Sequence, residues 1–287
     1  MTSRTIPTAP SLTKGNKVPK RFAKAMIKKP LISKYHSLIW GTLSILTLGL
    51  IWWAVTALGA IPSLYLPTPA SVWQQLLKVA SEGYMSATLW QHTLASLGRV
   101  MIALIAAICI GVPIGILMGS NRTLKAVLDP LLEFYRPIPP LAYLPLLVIW
   151  LGIGELTKIT LIFLSILAPV VISTLQGVLT VSKRRQFAAL SLGANRSQLL
   201  WHVTLPSALP HILIGIRIGL GVGWSTLVAA ELIAATKGLG FMIQSAAQFL
   251  ATDIVILGIA VIALIGFGLE MLLRAVQANL APWYGKY

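Results

Sequence analysis

Hydrophobic positions in this chain fall into blocks of about 20 residues, separated by short segments where polar and basic residues gather. A helix that crosses the hydrocarbon core of a bilayer needs about 20 predominantly apolar residues. Six blocks meet that requirement, over roughly residues 38–60, 97–119, 131–151, 159–178, 208–233 and 254–276. Pro113 interrupts the second, and Pro137, Pro139, Pro140 and Pro145 interrupt the third. Membrane helices tolerate such prolines where neighbouring groups satisfy the freed backbone. The pattern therefore predicts an all-α membrane protein with six transmembrane helices.

Two connecting segments have a pattern of their own. Between the first and second spans, LPTPASVWQQLLKVASEG reads as an external helix. Pro69 suits its first turn, and Val72, Leu76, Leu77 and Ala80 are expected on one face. That helix either lies flat on the membrane or carries docking surface for a partner. Between the fourth and fifth spans stands QFAALSLGANRSQLLWHVTLPSALP, from Gln186 to Pro210, half polar and preceded by Lys183, Arg184 and Arg185. Ala188, Ala189 and Leu192, then Leu199, Leu200 and Val203, make two short apolar faces. Gly193 between them permits a sharp bend, and Pro206 and Pro210 mark the return to the membrane. Such a segment is either a knob that a partner grips by helix-in-groove contact or an ordinary amphipathic interfacial loop.

Composition agrees with the membrane class. Of 287 residues, 56% are hydrophobic and 10% charged, against roughly 25% charged in soluble domains; mean hydropathy is +0.83. The single Cys109 excludes a disulfide framework and a cysteine-based metal site. A net charge of +16 would point to nucleic acid in a soluble protein. Here it reports topology, and no nucleic-acid partner is expected. The first 34 residues hold nine basic and no acidic residues. Placing the N-terminus in the cytoplasm puts 17 basic residues inside and only Lys78, Lys158 and Lys237 outside, with Arg99, Arg136 and Arg217 at or within spans. Six spans then return the C-terminus to the cytoplasm, and the Gln186–Pro210 stretch faces it.

The expected organisation is a basic cytoplasmic tail over 1–37, a first span with an external helix over 38–84, a core over 85–276 and a short cytoplasmic tail over 277–287. The first tail lacks the apolar core and cleavage site of a signal peptide. Its Ser, Thr, Pro and Lys content predicts disorder near anionic lipid.

Catalytic patterns are missing from the sequence. His36, His92, His202 and His211 form no HExxH pair, and there is neither a GxSxG nor a GxxxxGK[ST]. No metal ligands, catalytic residues or P-loop ATP site are expected, which argues against a membrane enzyme. Glycines repeat every four residues at Gly111, Gly115 and Gly119 and again at Gly215, Gly219 and Gly223. This spacing lets helices approach closely, either as fixed contacts or as surfaces that slide.

An ionisable side chain at a membrane helix centre costs about 2.5–3.5 kcal/mol on an insertion scale. The few present are therefore pathway candidates. Arg217 either snorkels to the interface or faces the path. Glu231 either gates, pairs with Lys237 or reaches water. Arg136 binds an anion or fixes the broken third helix. Trp224, Ser225 and Thr226 stand at mid-helix, where an indole and two hydroxyls either meet a polar solute or bond their own backbone. Glu270 and Arg274 read as an i,i+4 pair.

The Gln186–Pro210 stretch also carries a motif. Ala188-Ala189, three residues, Gly193, nine residues, then Val203-Thr204-Leu205-Pro206 resembles the EAA loop of ABC importer permeases, with Phe187 in place of the Glu and Val203 in place of the Ile. GYMSATLWQHTLASLGRV, LLEFYRPIPPLAYLPLLVIWLGIGE, GIRIGLGVGWSTLVAAELIAATKGLGFMI and the final LAPWYGKY extend the resemblance over about residues 38–283. The chain is similar to the nitrate/sulfonate/taurine/bicarbonate group of these permeases, most of all to its taurine-transporting members.

That resemblance implies a type I ABC importer permease fold with a cytoplasmic coupling loop over 180–207. Ala188, Ala189, Gly193, Ala194, Leu199, Val203, Leu205 and Pro206 would couple it to an ATPase. It implies a second copy of the chain, two ATPase subunits that hold ATP and Mg, a periplasmic or lipid-anchored binding protein, and surrounding lipid. No cofactor is expected on this chain, and the expected cargo is taurine. Other alkanesulfonates, nitrate and bicarbonate are the alternatives within the group. An ion-coupled secondary transporter is the rival from another class, and would call for more intramembrane carboxylates and for internal repeats.

Overall fold

The computed structural model describes residues 32–283. The basic tail up to residue 31, and residues 284–287, lie outside that range. Internal contacts divide the chain between residues 54 and 55. In its described residues, the first unit is most of helix α1 (Ile32–Ala57), whose stretch Ile39–Ala57 has a mean hydropathy of 1.6. Among its described residues the second unit holds ten further α-helices: α2 (Pro69–Ser81), α3 (Leu89–Ser120), α4 (Arg122–Tyr135), α5 (Leu144–Leu151), α6 (Glu155–Leu179), α7 (Lys183–Ser191), α8 (Arg196–Leu199), α9 (Leu205–Ala234), α10 (Leu239–Gln248) and α11 (Thr252–Leu280).

Among the described residues five helices are long and apolar enough to cross a membrane, ending with α11. The third expected span differs from a straight helix. α4 and the segment Pro140–Leu151 meet at 91°, because Pro137, Pro139 and Pro140 offer no backbone N–H and disfavour helix in the residues before them. A 3-10 turn over Pro140–Tyr143 opens the second arm. The two arms together carry the chain back across the bundle, as the glycine contacts of α3 and α6 require.

Those glycines set the core. A Cβ at Gly111 or Gly115 would meet Val170 or Thr174, so α3 runs parallel to α6. A Cβ at Gly215 or Gly219 would meet Ser173 or Ile166, so α9 runs antiparallel to it. The two small-residue stripes flank α6 and let Val100, Leu104, Ile162, Ile166, Leu220 and Leu227 bury together. A Cβ at Gly115 would stand 2.6 Å from Thr174 Cβ and 2.8 Å from the Val171 carbonyl. One at Gly98 would meet nothing within 4 Å. Gly115→Ala should cost about 1–3 kcal/mol through overpacking, whereas Gly98→Ala should gain about 0.5–1 kcal/mol of helix stability. Thermal unfolding in detergent checks both. A Gly115→Ala protein melting with wild type would remove the close α3–α6 approach.

α2 forms as the sequence predicts, with Thr68 Oγ1 accepting from the Ser71 amide at 3.1 Å and Pro69 at N1. Its buried stripe is shifted, however. Val72 and Val79 are buried and Leu76 half-buried, while Leu77 and Ala80 are exposed. Positions 72, 76 and 79 follow the helical repeat, and they face α3 and α11. α10 is an element that the sequence reading leaves out. Its ten residues are too short for a span, and its first residues hydrogen-bond to groups far away in sequence.

Candidate functional site

The segment that resembles a coupling loop forms a helix–turn–helix. α7 ends in a closed turn in which the Gly193 N–H donates to the Leu190 carbonyl (3.0 Å) and the Ala194 N–H to the Ala189 carbonyl (3.1 Å). This Schellman closure places Gly193 at φ +84°, a conformation that costs glycine least. Asn195 starts the next helix: its side chain accepts from the Gln198 amide (2.8 Å), and the Gln198 side chain accepts from the Asn195 N–H (2.9 Å). α8 then runs through a π turn (Leu200–Thr204) into α9. Pro206 cannot donate to the carbonyl four residues back, and the Leu205 N–H reaches the Leu200 carbonyl instead.

Of the residues singled out there, Ala189, Ala194, Leu199, Val203, Leu205 and Pro206 are half-buried, and Ala188 is exposed. Phe187, Leu190 and Trp201 are exposed, and Leu192 is 89% exposed at the tip. The segment therefore presents a small apolar knob at one end of α6. The 25 residues of α6 separate it from the helix's other end by about 37 Å.

At that other end lies a buried ion cluster. Arg99 Nη1 donates to Glu231 Oε1 (2.5 Å) and to the Lys237 carbonyl (2.8 Å). Its Nε and Nη2 grip both oxygens of Glu155 at 2.6 and 2.8 Å, a bidentate geometry suited to guanidinium. Lys158 adds a bond to Glu155 Oε1 at 2.9 Å. Glu231 is 0% exposed. It also accepts from Ser96 Oγ (2.7 Å) and from the Gly240 N–H (2.7 Å). Two cations thus balance two anions, as burial demands.

His92 completes the cluster. Its Nδ1 accepts from the Gly238 N–H at 3.1 Å, which fixes its proton on Nε2, donating to the Tyr84 carbonyl at 3.0 Å. The cluster ties α3, α6, α9 and the start of α10 together. Gly238 is required here, because a Cβ on it would collide with the Glu231 carboxylate. The sequence reading missed Arg99 and Ser96 as partners of Glu231, and Glu155, Lys158 and His92 as members of the surrounding network. The available signal was Arg99, a span cation that had to find a carboxylate.

The pathway candidates divide. Glu231 pairs with Arg99, and Lys237 contributes its carbonyl while its side chain is exposed. Arg217 reaches Glu270 (3.2 Å) and Gln277 (3.3 Å) on α11, where Arg274 also holds Glu270 at 2.9 Å. Trp224 turns toward α11, its Nε1 donating to the Ile262 carbonyl at 3.2 Å.

Arg136, Ser225 and Thr226 line two adjoining cavities that share Pro140 and Val222. The first, of about 350 Å³, has Arg136, Tyr135, Tyr143 and Ser165 among its walls. The second, of about 420 Å³, holds Ser225 and Thr226. Both hydroxyls donate to their own helix, at 3.2 and 2.9 Å, and keep lone pairs for a solute. These cavities, mostly apolar with a few polar groups, form a wall along the bent α4–α5 arm. It holds no nucleophile–base pair.

Comparison with known proteins gives one picture. The family described as "Binding-protein-dependent transport system inner membrane component" matches residues 111–285. The chain is 59% identical over 256 residues to the taurine transport system permease protein TauC of Escherichia coli K12, covering 89% of this chain and 92% of that protein. It is 34% identical over 270 residues to the putative aliphatic sulfonates transport permease protein SsuC of Bacillus subtilis 168, covering 94% and 96%. The inward-facing MetNI methionine ABC transporter superposes with a TM-score of 0.55 at 20% identity, over 66% of this chain and 97% of that one, a likeness of fold.

Proposed function

Because the chain belongs to the family of binding-protein-dependent transport system inner membrane components, we propose that it is the multi-pass inner-membrane permease subunit of an ATP-driven taurine importer. The observation that carries this reading is the 59% identity to a taurine permease across 89% of the chain. The chain is a transport subunit and carries out no chemistry on its cargo. ATP and Mg belong to a separate ATPase, present in two copies, and this chain binds neither. A second copy of the chain completes the path. A periplasmic or lipid-anchored binding protein delivers taurine from the outside, and the N- and C-termini face the cytoplasm.

The mechanism follows from the two ends of α6. The apolar knob around Leu192 and Gly193 fits a groove on the ATPase by helix-in-groove contact. Closure of the ATPase dimer moves the knob. The π turn and α9 pass that displacement into the bundle, where the close glycine contacts along α6 carry α3, α6 and α9 together as a rigid-body motion. At the far end, the Arg99–Glu231 cluster holds α3, α6 and α9 as one body. The path then opens alternately to each side, and ATP supplies the differential free energy that such a switch requires.

Taurine is a zwitterion, so its path needs polar groups and little fixed charge, as in the two cavities beside α9. The test is labelled taurine uptake in cells with and without this chain, its ATPase and binding protein kept, with excess ethanesulfonate or nitrate as competitors. Uptake should require the chain and resist both competitors. Uptake unchanged by loss of the chain would move the cargo to another member of the group.

A further inference from the structure

The cavity of about 350 Å³ under the bent arm falls within the size range of small-ligand sites, and its polar groups are sorted by role. Tyr135 Oη donates its one proton to the Leu164 carbonyl at 2.8 Å. In its 3.1 Å contact with Tyr143 Oη, Tyr135 can therefore only accept, and Tyr143 is the donor. With that proton committed, Tyr143 Oη offers the cavity lone pairs alone. Ser165, buried in the same wall, donates to the Ile162 carbonyl at 2.7 Å and is likewise left as an acceptor. Arg136 is the opposite case, a donor-only guanidinium. Among the described residues no carboxylate lies within ion-pair reach of it. The Tyr135 and Tyr143 rings, stacked at 6.1 Å, add faces that attract a cation.

An unpaired cation on one wall and proton acceptors with aromatic faces on another complement a molecule that carries both an anion and an ammonium. We propose that this cavity holds the amino-sulfonate in transit, with Arg136 on the sulfonate and Tyr143 and Ser165 on the ammonium, so that the permease itself prefers a zwitterion to a plain alkanesulfonate. The assignment rests on the taurine reading above. It adds a second point of selection beyond the binding protein.

Calorimetry on the purified permease–ATPase complex, without binding protein, tests it with taurine and ethanesulfonate as separate titrants. Arg136→Gln should weaken both by about tenfold or more, the value of a lost charge-assisted hydrogen bond. Tyr143→Phe should weaken taurine to that extent and leave ethanesulfonate within about twofold, since ethanesulfonate has no ammonium to lose. Tyr135→Phe breaks the same tyrosine pair but keeps the Tyr143 oxygen. It should retain taurine binding, which separates recognition from simple disruption of the wall. The wild-type complex with its binding protein is assayed for taurine uptake in parallel. Taurine uptake together with no taurine binding to the wild-type complex, or with binding unmoved by both Arg136→Gln and Tyr143→Phe, would overturn the site and leave the importer reading standing. Absence of wild-type taurine uptake would remove the importer's cargo and this site with it.

Discussion

Arg99→Ala is expected to destabilise the bundle by about 3–5 kcal/mol, the cost of leaving a buried charge without its partner. Glu231 is 0% exposed and, among the described residues, Arg99 at 2.5 Å is its one ion-pair partner. Once Arg99 is gone, Ser96 Oγ and the Gly240 N–H remain as donors to Glu231, and neither carries charge. Glu155→Gln should cost less, about 1–3 kcal/mol: the 4%-exposed Lys158 loses its anion, but the Glu155 side chain is 57% exposed and the Gln carbonyl still accepts a hydrogen bond. Combining Arg99→Met with Glu231→Leu removes both buried charges and should recover much of the loss, since an apolar pair often equals a buried ion pair. Thermal unfolding of the detergent-solubilised chain reads all three. Equal melting losses for Arg99→Ala and Glu155→Gln would show that burial of Glu231 does not set the cost.

The second large effect belongs to the segment proposed to couple the bundle to the ATPase. Gly193→Pro should leave the spans inserted, let ATP hydrolysis continue and cut taurine transport by at least about tenfold. Gly193 stands at φ +84° and donates to the Leu190 carbonyl. Proline fixes φ near −65° and has no N–H, so the closed turn opens and the knob at Leu192 is no longer held at its angle. A groove-bound knob transmits motion only when it is rigid, because a loose one absorbs the displacement. The check is a paired assay of ATPase rate and uptake on reconstituted complex. Unchanged uptake by Gly193→Pro would remove the coupling role from this turn.

Local features of the structure were the legible ones in the sequence. The helix–turn–helix could be read in part because a glycine between two short apolar faces encodes its bend within a dozen residues, whereas the Asn195–Gln198 cap that starts its second helix was not read. The spans could be read from block length. The bend in the third was signalled by Pro137, Pro139 and Pro140, though not its 91° angle, which depends on what the second arm packs against. The face of α2 was misplaced by one position because Leu77 is apolar yet exposed, and hydrophobicity alone does not say which side meets protein and which meets lipid.

The ion cluster and the cavity were illegible for a different reason. Arg99 and Glu231 are 132 positions apart, and nothing local links them. Only the requirement that a membrane-embedded charge find its opposite could have paired them. α10 went unseen because its first residues are fixed by bonds to Glu231 and Ser96 and not by its own sequence pattern. Arg136 could be named from the sequence, while its company of Tyr143 and Ser165 required the fold.

The most direct test of the importer mechanism is accumulation of labelled taurine in proteoliposomes holding this chain with its ATPase. ATP is supplied on the ATPase side and binding protein on the other. Accumulation should require both, and should persist after ionophores have collapsed every ion gradient. Accumulation without ATP that follows an imposed ion gradient would contradict the mechanism and make the chain a secondary transporter.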